Sequence, residues 1–180
     1  MTAEKILIHD RLTWTNYLMI GIYSYLLNIL GPITPFLQDE MTLSYTVSSL
    51  HFSAFAFGMI IAGLSVERFV GYFGRQRVFW GGSAGMMLGA LLLLLGQSPI
   101  ITIAGSLLMG TLGSLTYSLI PLLLSYHHPK ASLRTLTEAN VMGSVTAFVA
   151  PFMVSIFSSW SLGWRTALIL MPIAWVLLWL

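Results

Sequence analysis

The chain contains six long apolar runs, and these runs constrain its fold more than any other feature. A helix needs about 20 mostly apolar residues to cross a bilayer core of about 30 Å. Six segments meet or approach that length, at about 14–38, 43–66, 78–96, 100–126, 136–160 and 164–180. Hydrophobic residues make up 57% of the 180 residues and charged residues only 8%, which is far from the composition of a soluble domain. The sequence therefore predicts an all-α integral membrane protein, a six-transmembrane-helix bundle over residues 14–180.

The segments at the two ends of the bundle are short. Residues 1–13 form a predicted N-terminal segment that lacks the apolar stretch and cleavage site of a signal peptide. The sixth run has no polar residue after it and would barely cross the core, so we expect the chain to be incomplete at its C-terminus.

The sequence contains no cysteine, which excludes disulfides and thiol chemistry.

Positive charge is distributed unequally between the two sides of the predicted bundle. Alternating spans put seven of the eight Lys and Arg residues on the side of the N-terminus and leave only Arg165 on the other. The seven are Lys5, Arg11, Arg68, Arg75, Arg77, Lys130 and Arg134. Because cytoplasmic loops carry the excess of Lys and Arg, we expect a cytoplasmic N-terminus and a location in the cell membrane (inner or plasma membrane).

Small and polar residues recur at helical spacing in the first, second, fourth and fifth runs. Within a span such residues tend to face the bundle interior or a cavity. Helix packing alone explains such stripes, since small residues are the usual contacts between membrane helices. Prolines near mid-span favour a substrate cavity over helix packing alone. The candidate cavity residues are Tyr25, Asn28, His51, Tyr117, Ser118 and Asn140.

Segment 63–78, with the sequence GLSVERFVGYFGRQRV, gathers an unusual number of charges between two apolar runs. It resembles the signature loop of the major facilitator superfamily, which has a Gly, an acidic and basic pair, and then a Gly with clustered Arg. LGPITPFLQDE at 30–40, GSLLMGTLG at 105–113 and LGWR at 162–165 add to the likeness. The chain is thus similar to the N-terminal six-helix half of such a transporter.

The resemblance implies a secondary transporter that moves a small organic solute by alternating access, with or without coupling to an ion or a proton. Helices 1 and 4 would border the substrate cavity, helices 2 and 5 would face a second six-helix half, and helices 3 and 6 would lie outside. The second half would be in the same chain or in a second protomer, which leaves a homodimeric half-transporter as the alternative. The expected partners are the solute, the lipid bilayer and that half, with no nucleic acid and no cofactor.

The same resemblance gives segment 63–78 the role of a conformational gate. Its residues are Gly63, Glu67, Arg68, Gly74, Arg75 and Arg77. In such a gate the Glu67 carboxylate would meet a helix N-terminus of the other half in one conformation only, since helix N-termini attract anions. A plain surface ion pair of Glu67 with Arg68 or Arg75 is the other interpretation.

Glu138 and three histidines are further candidates for a functional role. Glu138 is the only acid near mid-helix, so it is a candidate for coupling, but its spacing from Thr135 also predicts a capping box at the start of helix 5. His51 is either a titratable contact in the cavity or a packing residue. His127 and His128 have no nearby carboxylate in the sequence and are interpreted as solvated, so no metal site is predicted.

An intramembrane serine protease is the rival class of function. Residues 81–85, GGSAG, match the G-x-S-x-G pattern of a serine nucleophile. The base would have to be His127 or His128, outside the membrane core. Small residues are common in packed spans, so the transporter interpretation is preferred and no enzyme activity is expected.

Overall fold

The computed structural model of the protein describes residues 9–160 and 162–179. Within them the chain forms six helices and no strand: α1 (Arg11–Met41), α2 (Tyr45–Phe73), α3 (Arg75–Leu95), α4 (Pro99–His127), α5 (Ser132–Ser159) and α6 (Arg165–Trp179). The predicted all-α, six-helix fold is confirmed. Lys5, with the rest of residues 1–8, and residues 161 and 180 lie outside the described residues.

Five of these helices are long and apolar enough to cross a membrane, and α6 is shorter. Its 15 residues cover only about 22 Å at 1.5 Å per residue. The difference from the predicted sixth span arises at both ends, because Trp164 precedes the helix and residue 180 is not described.

The junction of α2 and α3 is a single residue, Gly74. The expected loop between runs 2 and 3 is therefore wrong, because α2 continues to Phe73 and α3 starts at Arg75. Gly74 has φ 80° and ψ 157°, a conformation that only glycine adopts without strain. Glu67 consequently lies within the last two turns of α2 and not in a loop.

Helix α4 forms the centre of one group of helices, because α2 and α3 both pack against it, while α5 packs against α1. Glycines allow the close approach. A Cβ on Gly58 of α2 would lie 2.7 Å from the Leu107 carbonyl oxygen. A Cβ on Gly89 of α3 would lie 2.7 Å from the Gly105 carbonyl oxygen of α4, and a Cβ on Gly105 would lie equally close to the Gly89 carbonyl oxygen. Gly85 also faces α4, but a Cβ on Gly81 would meet nothing within 4 Å, so Gly81 takes no part in the contact between α3 and α4.

Burial is unequal among the helices. In the most apolar stretches of α1, α3 and α4, 50 to 56% of the residues are buried, against 28% in α2 and 17% in α5. Among the five long helices, α2 and α5 are therefore the least covered by the described residues of this bundle.

A polar cluster joins α1, α3 and α6 at the end of the bundle where α1 finishes. Glu40 accepts hydrogen bonds from Arg165 and from Trp164 Nε1, the latter at 3.2 Å. Arg165 Nε also donates to the carbonyl oxygen of Leu94 at 2.9 Å. These contacts fix the start of α6 against its neighbours.

Candidate functional site

A polar concavity of about 190 Å³ opens on the surface where α1, α4 and α5 meet. Its lining combines polar and small residues: Ile20, Ser24, Tyr117, Asn140, Gly143, Ser144 and Ala147. Gly143 lets α1 and α5 approach here, because a Cβ at this position would lie 2.9 Å from Ser24 Oγ. The concavity thus brings together two of the predicted cavity residues, Tyr117 and Asn140, which are separated by most of a helix in the sequence.

The lining offers hydrogen-bonding groups without a formal charge. Tyr117 is 36% exposed, and its ring stacks on Tyr23 with the centroids 4.7 Å apart. Tyr23 is itself anchored by a 2.9 Å hydrogen bond to Ser114. Asn140 donates its amide nitrogen to the Leu136 carbonyl of its own helix at 2.9 Å, which leaves the amide oxygen as an acceptor. This surface can bind a solute through hydroxyl and amide groups against a fixed aromatic ring.

Asn28 and Ser118 lie on the same helices but outside this lining. Both side chains are exposed. Asn28 Nδ2 donates to the Ser24 carbonyl at 2.8 Å, and Ser118 Oγ donates to the Ser114 carbonyl at 2.8 Å. Asn28 lies about one helical turn beyond Ser24, and Ser118 is the residue that follows Tyr117.

Tyr25 and His51 are packed elsewhere. Tyr25 is 2% exposed and its hydroxyl donates to the Ala167 carbonyl of α6 at 3.0 Å. His51 is fully buried between α2 and α4, where its Nδ1 lies 3.0 Å from the Ser48 carbonyl oxygen and its Nε2 lies 2.9 Å from Thr102 Oγ1. Both side chains join helices and neither reaches the concavity.

All six predicted gate residues are exposed. No ion pair joins Glu67 to Arg68 or Arg75 among the residues that the structure describes. Arg75 instead lies over the ring of Tyr126, 5.8 Å from its centroid. A Cβ on Gly63 would meet nothing within 4 Å, so this glycine is not needed for packing within the bundle.

Glu138 forms the centre of a polar cluster between α1 and α5. Its Oε2 accepts from His9 Nε2 at 2.7 Å and from the Tyr17 hydroxyl at 2.8 Å, and its Oε1 accepts from Arg134 at 2.9 Å. The capping-box interpretation is wrong, because α5 already begins at Ser132 with Ala131 as its N-cap. Glu138 ties two helices together and does not cap one.

A second cluster lies beside it, between the start of α1 and the end of α4. Asp10 is the N-cap of α1, and its Oδ1 accepts from the Thr13 backbone nitrogen at 3.0 Å and from the Thr13 hydroxyl at 2.7 Å. Its Oδ2 accepts from His127 Nε2 at 2.6 Å, and Thr13 Oγ1 lies 2.7 Å from His128 Nε2. The expectation that no carboxylate lies near His127 and His128 is therefore wrong, although His127 is exposed to solvent as expected.

The electrostatics of this cluster favour an ionised Asp10. Partial burial would raise the pKa of its carboxyl group, but the hydrogen bonds from Thr13 and His127 outweigh that effect and lower the pKa to about 2. Asp10 thus carries a full negative charge at neutral pH.

Ser83, the serine of the GGSAG segment, is fully buried. Its hydroxyl donates to the Trp80 carbonyl at 2.9 Å and accepts from Trp175 Nε1 at 3.0 Å. His127 and His128 make their contacts with Asp10 and Thr13. The pairing of nucleophile and base that a serine protease needs is not formed by these residues.

The two polar clusters were missed because their members are far apart in the sequence. His9 and Glu138 are separated by 129 positions, and Asp10 and His127 by 117. The alternation of the spans could have predicted that these residues lie on the same side. It places the start of the first helix, the end of the fourth and the start of the fifth at one end of the bundle.

Comparison with known families assigns the chain. Residues 17–180 match the sequence profile of the Major Facilitator Superfamily. No curated protein matches the chain significantly. The match covers all six helices described above, apart from the first turns of α1. The chain therefore belongs to the Major Facilitator Superfamily, a family of membrane transporters and not of enzymes.

Proposed function

We propose that the chain is the N-terminal six-helix half of a secondary transporter and that the concavity between α1, α4 and α5 is its share of the substrate site. The observation that carries this proposal is the concavity itself, a surface of polar and small residues between three long apolar helices. Polar groups within a span are costly against lipid and characteristically face a cavity. A solute path explains why Asn140 and Ser144 are exposed on a membrane helix.

The solute that fits this surface is a small organic molecule that is neutral, zwitterionic or amphipathic. No charged residue lines the concavity, so a strongly anionic solute would find no counter-ion there. Tyr117 supplies an aromatic face and a hydroxyl group, while Ser144 and Asn140 supply further polar contacts. Such groups recognise shape and hydrogen bonding more than net charge.

A second six-helix half is proposed as the partner that closes the site. Support comes from α2 and α5, which are the least covered of the five long helices. On α5 the uncovered face carries Ser144, Pro151 and Ser155, a composition that suits a protein interface or a wet cavity better than lipid. The half would come from the same polypeptide or from a second protomer.

The exposed segment around Glu67 is proposed as the gate between the two halves. Glu67 has no ion-pair partner among the described residues, and Gly63 has open space beside it. An unpaired carboxylate can meet a helix N-terminus of the partner half in one state and release it in the other.

Proton coupling through Glu138 stays part of the proposal. Its carboxylate is 31% exposed and has a titratable neighbour, His9, at 2.7 Å. Glu138→Gln should then abolish uptake driven by a pH gradient but preserve exchange of solute across the membrane. Loss of both activities together with a lower unfolding temperature would identify Glu138 as a structural tie between α1 and α5 alone.

The proposed orientation has the N-terminus in the cytoplasm. The structure brings His9 close to Glu138 and Asp10 close to His127, so the start of α1, the end of α4 and the start of α5 share one end with most of the Lys and Arg. Labels attached at Gln76 and Lys130 should react from the cytoplasm, and labels at Asp39 and Gln97 from outside. The reverse pattern would overturn the orientation.

The substrate site is tested by transport in proteoliposomes with a panel of radiolabelled neutral, zwitterionic and anionic solutes. Tyr117→Phe and Asn140→Ala should reduce the uptake of the transported solute without lowering the unfolding temperature. Ser155→Ala is the matched control, because Ser155 is exposed on α5 but does not line the concavity. Normal transport by both site variants would show that the concavity is not the substrate site.

A further inference from the structure

Three side chains that ligate transition metals meet where α1 begins and α4 ends. Asp10, His127 and His128 each offer one ligand atom, and these three atoms lie within 4.8 Å of one another. The rings of His127 and His128 are nearly perpendicular, with centroids 4.6 Å apart. Ligand atoms around a tetrahedral Zn²⁺ are about 3.4 Å apart, given bonds of about 2.0–2.2 Å, so small side-chain rotations would close the site.

Thr13 positions two of the three ligands. It is fully buried, its hydroxyl donates to Asp10 Oδ1 at 2.7 Å, and its oxygen lies 2.7 Å from His128 Nε2. Because a hydroxyl has one hydrogen and Asp10 receives it, the Nε2–H of His128 must be the donor in the second contact. The lone pair of His128 is then on Nδ1. Metal-binding histidines are commonly held in this way, with the other ring nitrogen donating to a fixed oxygen.

The charge and exposure of the cluster also suit a metal ion. Asp10 supplies a carboxylate oxygen, which is an ordinary Zn²⁺ ligand. The side chains of Asp10 and His127 are 41% and 39% exposed, so an ion can enter from solvent and water can complete its coordination.

We propose that Asp10, His127 and His128 form a Zn²⁺ site that fastens the beginning of α1 to the end of α4. Two imidazoles and one carboxylate match the ligand preference of Zn²⁺, whereas Mg²⁺ and Ca²⁺ prefer oxygen ligands throughout. If His127 ligates through Nε2, it does so as a neutral imidazole with its ring proton on Nδ1, and the bond to the metal replaces the hydrogen bond from Nε2 to Asp10. The site lies apart from the concavity and does not depend on the transported solute.

The test is a Zn²⁺ titration of the purified protein by calorimetry, with the absorption spectrum of bound Co²⁺ as a second probe. The unmodified protein should bind one ion per chain, with a Co²⁺ spectrum of tetrahedral or five-coordinate type and a rise in unfolding temperature. Asp10→Asn and His127→Asn should each weaken binding by at least about tenfold. Asparagine is also a good N-cap, so Asp10→Asn preserves the start of α1.

Two controls separate this site from its surroundings. His9→Asn alters the neighbouring cluster at Glu138, and Asp39→Asn removes an exposed acid at the other end of α1; both should bind Zn²⁺ as the unmodified protein does. Thr13→Val should weaken binding and Thr13→Ser should restore it, which a purely structural role for Thr13 would not produce. His128→Asn removes a ligand without touching the N-cap and decides the question if another variant fails to fold.

The proposal is overturned if the unmodified protein takes up no Zn²⁺ or if Asp10→Asn and His128→Asn bind it with unchanged affinity. It is also overturned if His9→Asn abolishes binding while Asp10→Asn does not, because the ion would then belong to the cluster around Glu138.

Discussion

The polar stripe of α2 is sealed against α4, whereas the polar stripe of α5 opens on the surface. Ser48 and His51 of α2 are at most 1% exposed, but Asn140, Ser144 and Ser155 of α5 are exposed. The two stripes have similar residues at similar spacing. The difference lies in the neighbour, since the glycines of α4 let α2 approach while no described helix covers that face of α5. A polar stripe in a span therefore shows that a face needs a polar or close-packed environment, but not which of the two it has.

The largest expected contrast between the stripes is in chemical labelling. The sequence has no cysteine, so single substitutions can be labelled without background. Ser144→Cys should react fully with a membrane-impermeant thiol reagent, because the thiolate forms only where water is present. Ser48→Cys should stay unlabelled until the protein is unfolded. Equal labelling of the two would remove the distinction, and protection of Ser144→Cys in intact membranes would indicate a lipid-covered face.

Packing of α2 on α4 can be broken at one glycine. A Cβ on Gly110 would overlap the backbone carbonyl of Phe55, so Gly110→Ala should lower the free energy of unfolding by about 1–3 kcal/mol. Gly81→Ala is the matched control, since a Cβ there meets nothing within 4 Å, and it should not reduce stability. Thermal unfolding in detergent measures both. A stable Gly110→Ala variant would contradict the close α2–α4 contact.

His51 distinguishes packing from substrate contact. Replacing it with leucine keeps the bulk but removes the bonds to Ser48 and Thr102, so the free energy of unfolding should fall by about 1 kcal/mol. Transport per folded molecule should not change. If stability were unaffected and transport were lost, His51 would be a cavity contact despite its burial.

The smallest expected effect is at the proposed gate. Glu67→Gln should leave the stability of the bundle unchanged, because Glu67 is exposed and unpaired within the described residues. In the transporter the substitution should change the free-energy difference between the outward-facing and inward-facing states by about 0.3–1 kcal/mol, which is the usual contribution of an anion at a helix N-terminus. The ratio of the two states should change accordingly. Accessibility labelling from both sides measures the ratio. Asp39→Asn is the control, and an unchanged ratio in Glu67→Gln would make Glu67 a solvated charge.

Hydropathy predicted the six helices, and short motifs such as segment 63–78 predicted the family, because both signals are local in the sequence. The apolar runs contain nearly all the information on the spans, and the charged segment 63–78 sits between two of them. Burial in α2 was also foreseeable, since Ser48, His51, Phe55, Gly58 and Ala62 share one face and all five are buried. Local signals of this kind need no knowledge of the partner helix.

Contacts between distant helices were not predictable in the same way. The sequence gives Tyr25 and Tyr117 the same prediction, a place in the cavity. In the structure Tyr25 donates a hydrogen bond to α6, and only Tyr117 lines the concavity. The cluster of Asp10 with His127 and His128 depends on the end of α4 meeting the start of α1, which only the packing angle of two helices decides. The continuation of α2 through Glu67 was missed because charged residues were taken as loop residues, although a helix tolerates them once it leaves the membrane.

The one-residue link at Gly74 has a consequence for biogenesis. Helices α2 and α3 are neighbours in the chain but have few contacts with each other, and each packs mainly against α4. Both helices precede α4 in the chain, so each leaves the ribosome before its main packing partner has been made. The packing of α2 and α3 can therefore be completed only after α4 has been synthesised and inserted.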